Sequence, residues 1–104
     1  MKLYQDYDFM LKAFEKGNVQ LDETSFYFRS DSSKDSMIGY LPQYDKPYWV
    51  GCCDIPDGCE FETAQEMFET KIFDGKSLKD RWDEVIIINI GGISVLDWKK
   101  SWLE

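Results

Sequence analysis

Histidine is absent from all 104 residues of the chain. Its imidazole is the usual general base near neutral pH, the common activator of serine and cysteine nucleophiles, and a frequent zinc ligand. Carboxylate chemistry is left, but 20 acidic residues single out no catalytic pair. No phosphate-binding glycine loop occurs, and no calcium loop has its glycine in register. We therefore predict a protein that is not an enzyme and that needs no cofactor.

The sequence also lacks a long apolar run and an excess of basic residues. No stretch approaches the roughly 18 apolar residues of a membrane-spanning helix, and the first residues lack the apolar centre of a signal peptide. Twelve basic residues stand against 20 acidic ones, which gives a net charge of −8. Nucleic acids and anionic membranes require a basic surface. We predict a cytoplasmic protein with no nucleic-acid or membrane partner.

Cysteine is scarce, and its spacing is wrong for a structural metal site. The three cysteines, Cys52, Cys53 and Cys59, are an odd number and lie within eight residues. A structural zinc site normally requires four ligands in paired units. If residues 48–53 form a strand, Cys52 and Cys53 point to opposite faces and cannot hold one ion together. We predict no metal site, with one buried thiol, one exposed thiol and one beside a turn.

An amphipathic helix is predicted over about residues 4–16. Its apolar stripe includes Tyr7, Met10 and Phe14 at helical spacing, and Gly17 provides the stop. Threonine and glutamate at 63 and 66 fit a capping box that begins a short helix over 64–70. Ser77 is predicted to cap a second short helix.

Strands are predicted where β-branched and aromatic residues lie between turn signals. A polar loop over 30–36 joins the first two strands in a hairpin. The run over 85–90 has five β-branched aliphatic residues in six positions without alternation, which predicts a central strand covered on both faces. The predicted strands cover residues 25–29, 37–41, 48–53 and 85–90.

The C-terminal segment 93–103 has two interpretations. Ile93 to Val95 could return as a hairpin strand across a turn at Gly91 and Gly92. Alternatively Ser94 caps a final helix that carries Trp98 and Trp102 on one face, and we favour this helix because the two indoles need a common cover.

The order of elements predicts one α+β domain over residues 1–104. Strands and helices occur in runs rather than in strict alternation, which is typical of a mostly antiparallel sheet. We expect about four strands, with an N-terminal helix, two short middle helices and a C-terminal helix packed on them.

One stretch is distinguished by its charge. Between residues 54 and 70 there are six carboxylates and no lysine or arginine. Such a stretch could attract a basic protein by electrostatic steering, or it could be an ordinary solvated surface. The candidate partner-binding residues are Asp54, Asp57, Glu60, Glu62, Glu66 and Glu69.

These observations favour a small acidic binding module that presents an acidic face to a basic protein partner, in the manner of inhibitor, immunity or antitoxin proteins. A second hypothesis is an accessory domain that binds a small molecule or a metal through the aromatic and cysteine-rich region 40–60. A third is a homo-oligomer whose surface aromatic residues form its own interface, because aromatic residues make up 16% of the chain.

Overall fold

The computed structural model describes residues 5–95, and this part of the chain is an α+β fold, as predicted. Two α-helices and six strands are joined by turns and two short 3₁₀ segments. The helices are α1 (Tyr7–Glu15) and α2 (Ala64–Glu69), and the 3₁₀ segments are Val19–Leu21 and Trp82–Glu84. The strands are β1 (Thr24–Phe28), β2 (Asp31–Tyr40), β3 (Tyr48–Val50), β4 (Cys59–Phe61), β5 (Val85–Ile90) and β6 (Ile93–Ser94).

All six strands form one antiparallel sheet in the order β4-β3-β2-β1-β5-β6. The antiparallel arrangement was predicted, but the expected number of four strands was wrong. The two additional strands lie at the edges and have only three and two residues. Strand β4 was not predicted, and β6 corresponds to the interpretation of the C-terminal segment that we did not favour. Segments this short carry no readable alternation, so their pairing is set by the neighbouring strand and the preceding turn.

The core lies on one face of this sheet, where α1 and α2 pack. Met10 and Phe14 of α1 are fully buried there, together with Met67 and Phe68 of α2. Helix α1 is shorter at both ends than predicted. It begins where the Asp6 carboxylate accepts the N–H of Phe9 at 2.9 Å, and it ends before Gly17, whose φ is +75°.

The first hairpin is tighter than the sequence predicted. Residues 30–36 were predicted to be a loop, but β2 begins at Asp31, and only Arg29 and Ser30 form the turn. The side chains of residues 31–35 are exposed, so no apolar pattern marks them as a strand. Asp35 and Asp31 nevertheless pair with Tyr27 and Phe28 of β1, and the register shifts between these two pairs, so residues 32–34 have no partner on β1. The two pairs can form because ladder hydrogen bonds use main-chain groups whatever the side chains are.

Strand β5 is not central and is not buried equally on both faces, contrary to the prediction. It lies between β1 and β6, one position from the sheet edge. Its register with β1 shifts, since Ser25 pairs with Asn89 while Phe26 pairs with Ile87, which leaves Ile88 as an extra residue. Such a bulge reverses the side-chain alternation. Val85, Ile87 and Ile90 therefore face the core, and the other three residues are only partly buried.

Strand β6 decides between the two interpretations of the segment after the double glycine. Gly91 and Gly92 have φ values of +63° and +78°, which suits a tight hairpin turn. Ile93 and Ser94 then pair with Ile90 and Asn89. A helix beginning at Ser94, which we favoured, is therefore wrong at this residue. Trp98 and Trp102 of the predicted helix lie outside the described residues.

The first of the two predicted middle helices is confirmed, and the second is replaced by turns. Helix α2 has the predicted capping box between Thr63 and Glu66. Ser77 does act as a cap, but no α-helix follows it. The N–H of Lys79 bonds to the carbonyl of Phe68 at 2.8 Å, and this contact with α2 holds the backbone in turns that end in the 3₁₀ segment.

The cap formed by Ser77 provides a test of pH-dependent stability. Ser77 donates its N–H to the Asp80 carboxylate, and Asp80 donates its N–H to the Ser77 hydroxyl, both at 3.0 Å. The hydrogen bonds from Ser77 lower the pKa of Asp80 below its ordinary value of 3.8. A carboxyl with a lowered folded-state pKa stabilises the fold above its unfolded-state pKa, and this contribution is lost as the pH falls through the folded-state value.

We therefore expect the Asp80→Asn variant to lose less stability than the wild type when urea unfolding is compared at about pH 5 and about pH 2. Asp83→Asn is the matched control, because Asp83 is an exposed carboxylate nearby that receives no side-chain cap from Ser77. Equal acid sensitivity of wild type and Asp80→Asn would contradict this assignment.

Candidate functional site

All six predicted partner-binding carboxylates are exposed, but the sheet separates them. Glu60 on β4 pairs with Trp49 on β3, and the flanking Tyr48 and Val50 face the core. Glu60 consequently points away from the core, whereas α2 with Glu66 and Glu69 covers the core side. Glu60 and the two α2 carboxylates therefore lie on opposite sides of the sheet. The six predicted residues are Asp54, Asp57, Glu60, Glu62, Glu66 and Glu69.

Three of these carboxylates already have intramolecular partners. Glu66 completes the capping box of α2 by accepting the N–H of Thr63 at 3.2 Å. Glu69 accepts a hydrogen bond from Gln65 at 3.0 Å and lies 3.9 Å from the ammonium of Lys79. The ion pair between Glu69 and Lys79 is at the surface, where such a pair contributes little stability.

Asp54 holds a neighbouring turn in place. Its carboxylate accepts the N–H of Asp74 at 2.8 Å, and its own N–H donates to the carbonyl of Ile72 at 2.8 Å. Asp74 and Gly75 both have positive φ and form a two-residue turn between Phe73 and Lys76. The tertiary contact with Asp54 brings Asp74 to the rim of a cleft.

This cleft has a volume of about 220 Å³ and lies between four parts of the chain. These parts are the β1–β2 hairpin, the segment after β3, the turn that carries Asp74, and Arg81. Phe28 and Phe73 are both buried and supply the aromatic floor. The charged residues that line the cleft are the acids Asp31, Asp35, Asp54 and Asp74 and the bases Lys34 and Arg81.

Arg81 is held inside the cleft wall. The guanidinium carbon lies 3.7 Å from the ring centroid of Phe28, and the side chain is only 11% exposed. Its Nε is 3.2 Å from the Glu84 carboxylate, and one terminal nitrogen donates to the Ser30 hydroxyl at 3.2 Å. Hydrogen bonds from Ser30 and Arg81 lower the pKa of Glu84. The charge of Arg81 is thus largely matched within the protein.

The Arg81 interactions leave the cleft rim negative. Asp74 lies 3.8 Å from Arg81, yet its carboxylate is 92% exposed and faces water. Asp31 and Asp35 are also exposed, and Lys34 is the one remaining basic group among the lining residues. Carboxylates around an aromatic floor provide both attraction for a cation and a surface for its apolar stem.

Two of the three thiols lie where the segment after β3 passes the cleft, and none of the three is fully buried. Cys52 is exposed and lines the cleft together with the partly buried Cys53. The Sγ atoms of Cys53 and Cys59 are 4.0 Å apart. Burial and the neighbouring Cys53 raise the pKa of Cys59 to about 12. The prediction of one buried thiol was wrong, because β3 ends at Val50 and Cys52 and Cys53 follow it in bends, while Cys59 begins the edge strand β4 and is only partly buried.

Within residues 5–95, no three histidine, cysteine or carboxylate side chains are grouped closely enough to hold a metal ion. No helix in this part of the chain combines the length and the apolar character that crossing a bilayer requires. The cleft residues Phe28, Asp31, Asp35 and Arg81 were not selected from the sequence. They come from three separate segments, and no local pattern marks them.

The chain matches no protein-family model, no curated protein and no solved structure at a significant level.

Proposed function

We propose that this protein is a small, non-catalytic binding module whose acidic surface meets a basic protein partner, with the cleft as its anchor point. The observation that supports the proposal is the excess of carboxylates over basic groups among the residues that line the cleft. Of the two cations in the cleft, Arg81 is matched by Glu84 and Asp74 within the protein. Lys34 is then the one basic lining residue left beside the exposed carboxylates of Asp31 and Asp35. A lysine or arginine of the partner would supply the missing counter-charge.

The size of the cleft favours a side chain as the anchored group. Sites for drug-sized ligands usually enclose about 300–1,000 Å³. The cleft has about 220 Å³, which is below this range. One long basic side chain can place its methylene stem against Phe28 and Phe73 while its charged end reaches the rim.

The net charge of −8 supports the same proposal at longer range. An acidic surface raises the association rate of a basic partner, and added salt reduces this attraction. Carboxylates outside the cleft, such as Glu62, would contribute to this general field. Cleft carboxylates would in addition contribute to the contact itself, so neutralising the two groups should have different effects.

The proposal can be tested by titrating the protein with a hexa-arginine peptide and following amide chemical shifts and fluorescence anisotropy. We expect the shifts to concentrate at the cleft, and Asp31→Asn/Asp35→Asn to weaken binding about tenfold, which corresponds to about 1.4 kcal/mol. Neutral asparagine keeps the size of each side chain and removes only its charge.

Two double variants with the same change in net charge serve as controls. Asp57→Asn/Glu62→Gln tests the predicted acidic stretch outside the cleft, and Asp8→Asn/Glu15→Gln tests exposed acids on α1. Both should weaken binding less than about twofold. Equal weakening in all three variants, or shifts spread evenly over the surface, would show non-specific attraction and would refute the cleft as the anchor.

A small cationic molecule is the second candidate, because a concave site with an aromatic floor also suits a free cation. The two candidates are distinguished by titrating with arginine amide. Binding of this compound as tight as that of the peptide would favour a small-molecule site. Much weaker binding would favour a protein partner that also contacts the surrounding surface.

A further inference from the structure

Two cysteine sulfur atoms are close together at the two ends of one turn. Cys53 precedes the turn and Cys59 begins β4, with their Sγ atoms 4.0 Å apart. Both side chains are partly buried, and no other element separates them. A disulfide bond needs an S–S distance of about 2.05 Å, so the sulfur atoms must approach by about 2 Å. Rotation of the two side chains and small movements of the intervening turn can provide this approach.

We propose that Cys53 and Cys59 are a redox modification site, at which a small-molecule disulfide converts the two thiols into an intramolecular disulfide. The inference goes beyond the proposed binding function and does not depend on it. It assigns a role to two of the three cysteines that the cleft chemistry leaves unused.

Cys52 is excluded from this pair by geometry. Adjacent Cα atoms are about 3.8 Å apart. Disulfide-bonded residues usually have Cα separations of about 4.4–6.8 Å, so a bond between Cys52 and Cys53 would be strained. The exposed Cys52 can still react with an oxidant in solution. It is therefore replaced by serine in the main experiment.

The reaction proceeds in two exchange steps. The thiolate of Cys53 attacks one sulfur of the small-molecule disulfide, forms a mixed disulfide and releases one small-molecule thiolate. The Cys59 thiol then loses its proton and attacks the Cys53 sulfur, which forms the internal bond and releases the second thiolate. Two protein thiols are oxidised, one disulfide is reduced to two thiols, and the two protein protons pass to them.

The order of these steps follows from the environment of the two thiols. The thiolate is the attacking species, and the raised pKa of Cys59 keeps it protonated at neutral pH. Cys53 also lies at the cleft, where a reagent can approach, whereas Cys59 does not line the cleft. Cys53 is therefore the residue that attacks the small-molecule disulfide first, and Cys59 is the one that resolves the mixed disulfide.

The bond would close a ring around the turn over residues 54–58. Asp57 and Gly58 in this turn have φ values of +67° and +81°. One end of the segment is already attached through Asp54 to the Asp74 turn. The disulfide would fix its other end to the sheet, so the oxidised protein should unfold at a higher urea concentration than the reduced protein.

The experiment uses the Cys52→Ser protein, treated with oxidised glutathione and examined by intact mass and thiol titration. We expect it to lose both remaining free thiols, to retain no glutathione, and to recover both thiols on reduction. The matched control Cys52→Ser/Cys59→Ser should keep one glutathione per chain, because its mixed disulfide has no resolving thiol.

Two results would overturn the proposal: a Cys52→Ser protein that stops at the mixed disulfide, or one that forms only disulfides between chains. The wild-type protein provides an independent measurement if a variant does not fold. Digestion at aspartate and mass spectrometry should place the wild-type bond between Cys53 and Cys59, with Cys52 free or glutathionylated. A bond involving Cys52 would contradict the assignment.

Discussion

Replacing Ile87 by alanine is expected to destabilise the protein by about 2–5 kcal/mol, the usual effect of removing a large aliphatic side chain from a core. Ile87 is 4% exposed and faces the core from β5, beside Phe26 on the neighbouring strand. A domain of this size has a total stability of about 5–15 kcal/mol. The variant should therefore lose a large share of its stability, measured as a shift of the urea midpoint at constant slope.

The matched control is Ile86→Ala, the same chemical change one residue earlier in the same strand. Ile86 is on the other face of the sheet and is only partly buried. Its truncation should cost about 1 kcal/mol or less, because it leaves a shallow gap at the surface rather than an internal cavity. Equal losses in the two variants would mean that both faces of β5 are covered, as the sequence originally predicted.

Replacing Gly58 by alanine is expected to have an effect of similar size for a different reason. Gly58 has φ +81°, and a Cβ added there would overlap the backbone carbonyl of Val50. The left-handed backbone costs an alanine about 1–2 kcal/mol. Overpacking costs about 1–3 kcal/mol more, and the neighbouring atom is backbone of β3, which cannot move without disturbing the sheet.

Gly75→Ala separates these two contributions. Gly75 has nearly the same backbone angle, φ +77°, but a Cβ added there meets nothing within 4 Å. The Gly75→Ala variant should lose only the roughly 1–2 kcal/mol of stability that the left-handed backbone conformation costs an alanine. The difference between the two variants in urea unfolding measures the steric contact alone. Equal losses would show that the turn can move away from β3.

The acidic cleft illustrates why a functional site can be invisible in a sequence. Asp54 belonged to the predicted acidic stretch, but its neighbours in the cleft are Asp31 and Asp35 from β2 and Asp74 from a distant turn. Glu60, only six residues after Asp54, is directed to the outer side of the sheet. Charge density along the chain therefore gave the correct sign but did not identify which carboxylates share a surface.

Local signals in the sequence determined those elements whose boundaries or buried faces depend on residues close to them in the chain. Helix α1 has an apolar stripe and a glycine stop, α2 has its capping box, and β5 has its β-branched run. These signals act within one or two helical turns, or along a single strand, so they can be read without knowledge of the fold. Together with the mixed order of elements they determined the α+β class.

Tertiary structure decided what depends on residues distant in sequence. The bulge opposite Ser25 selected which isoleucines of β5 face the core, and pairing with β3 created β4. Contact between Lys79 and Phe68 replaced a predicted helix by turns. In each case a backbone hydrogen bond to a remote segment outweighed a weak local preference, because every buried N–H and C=O group must find a partner.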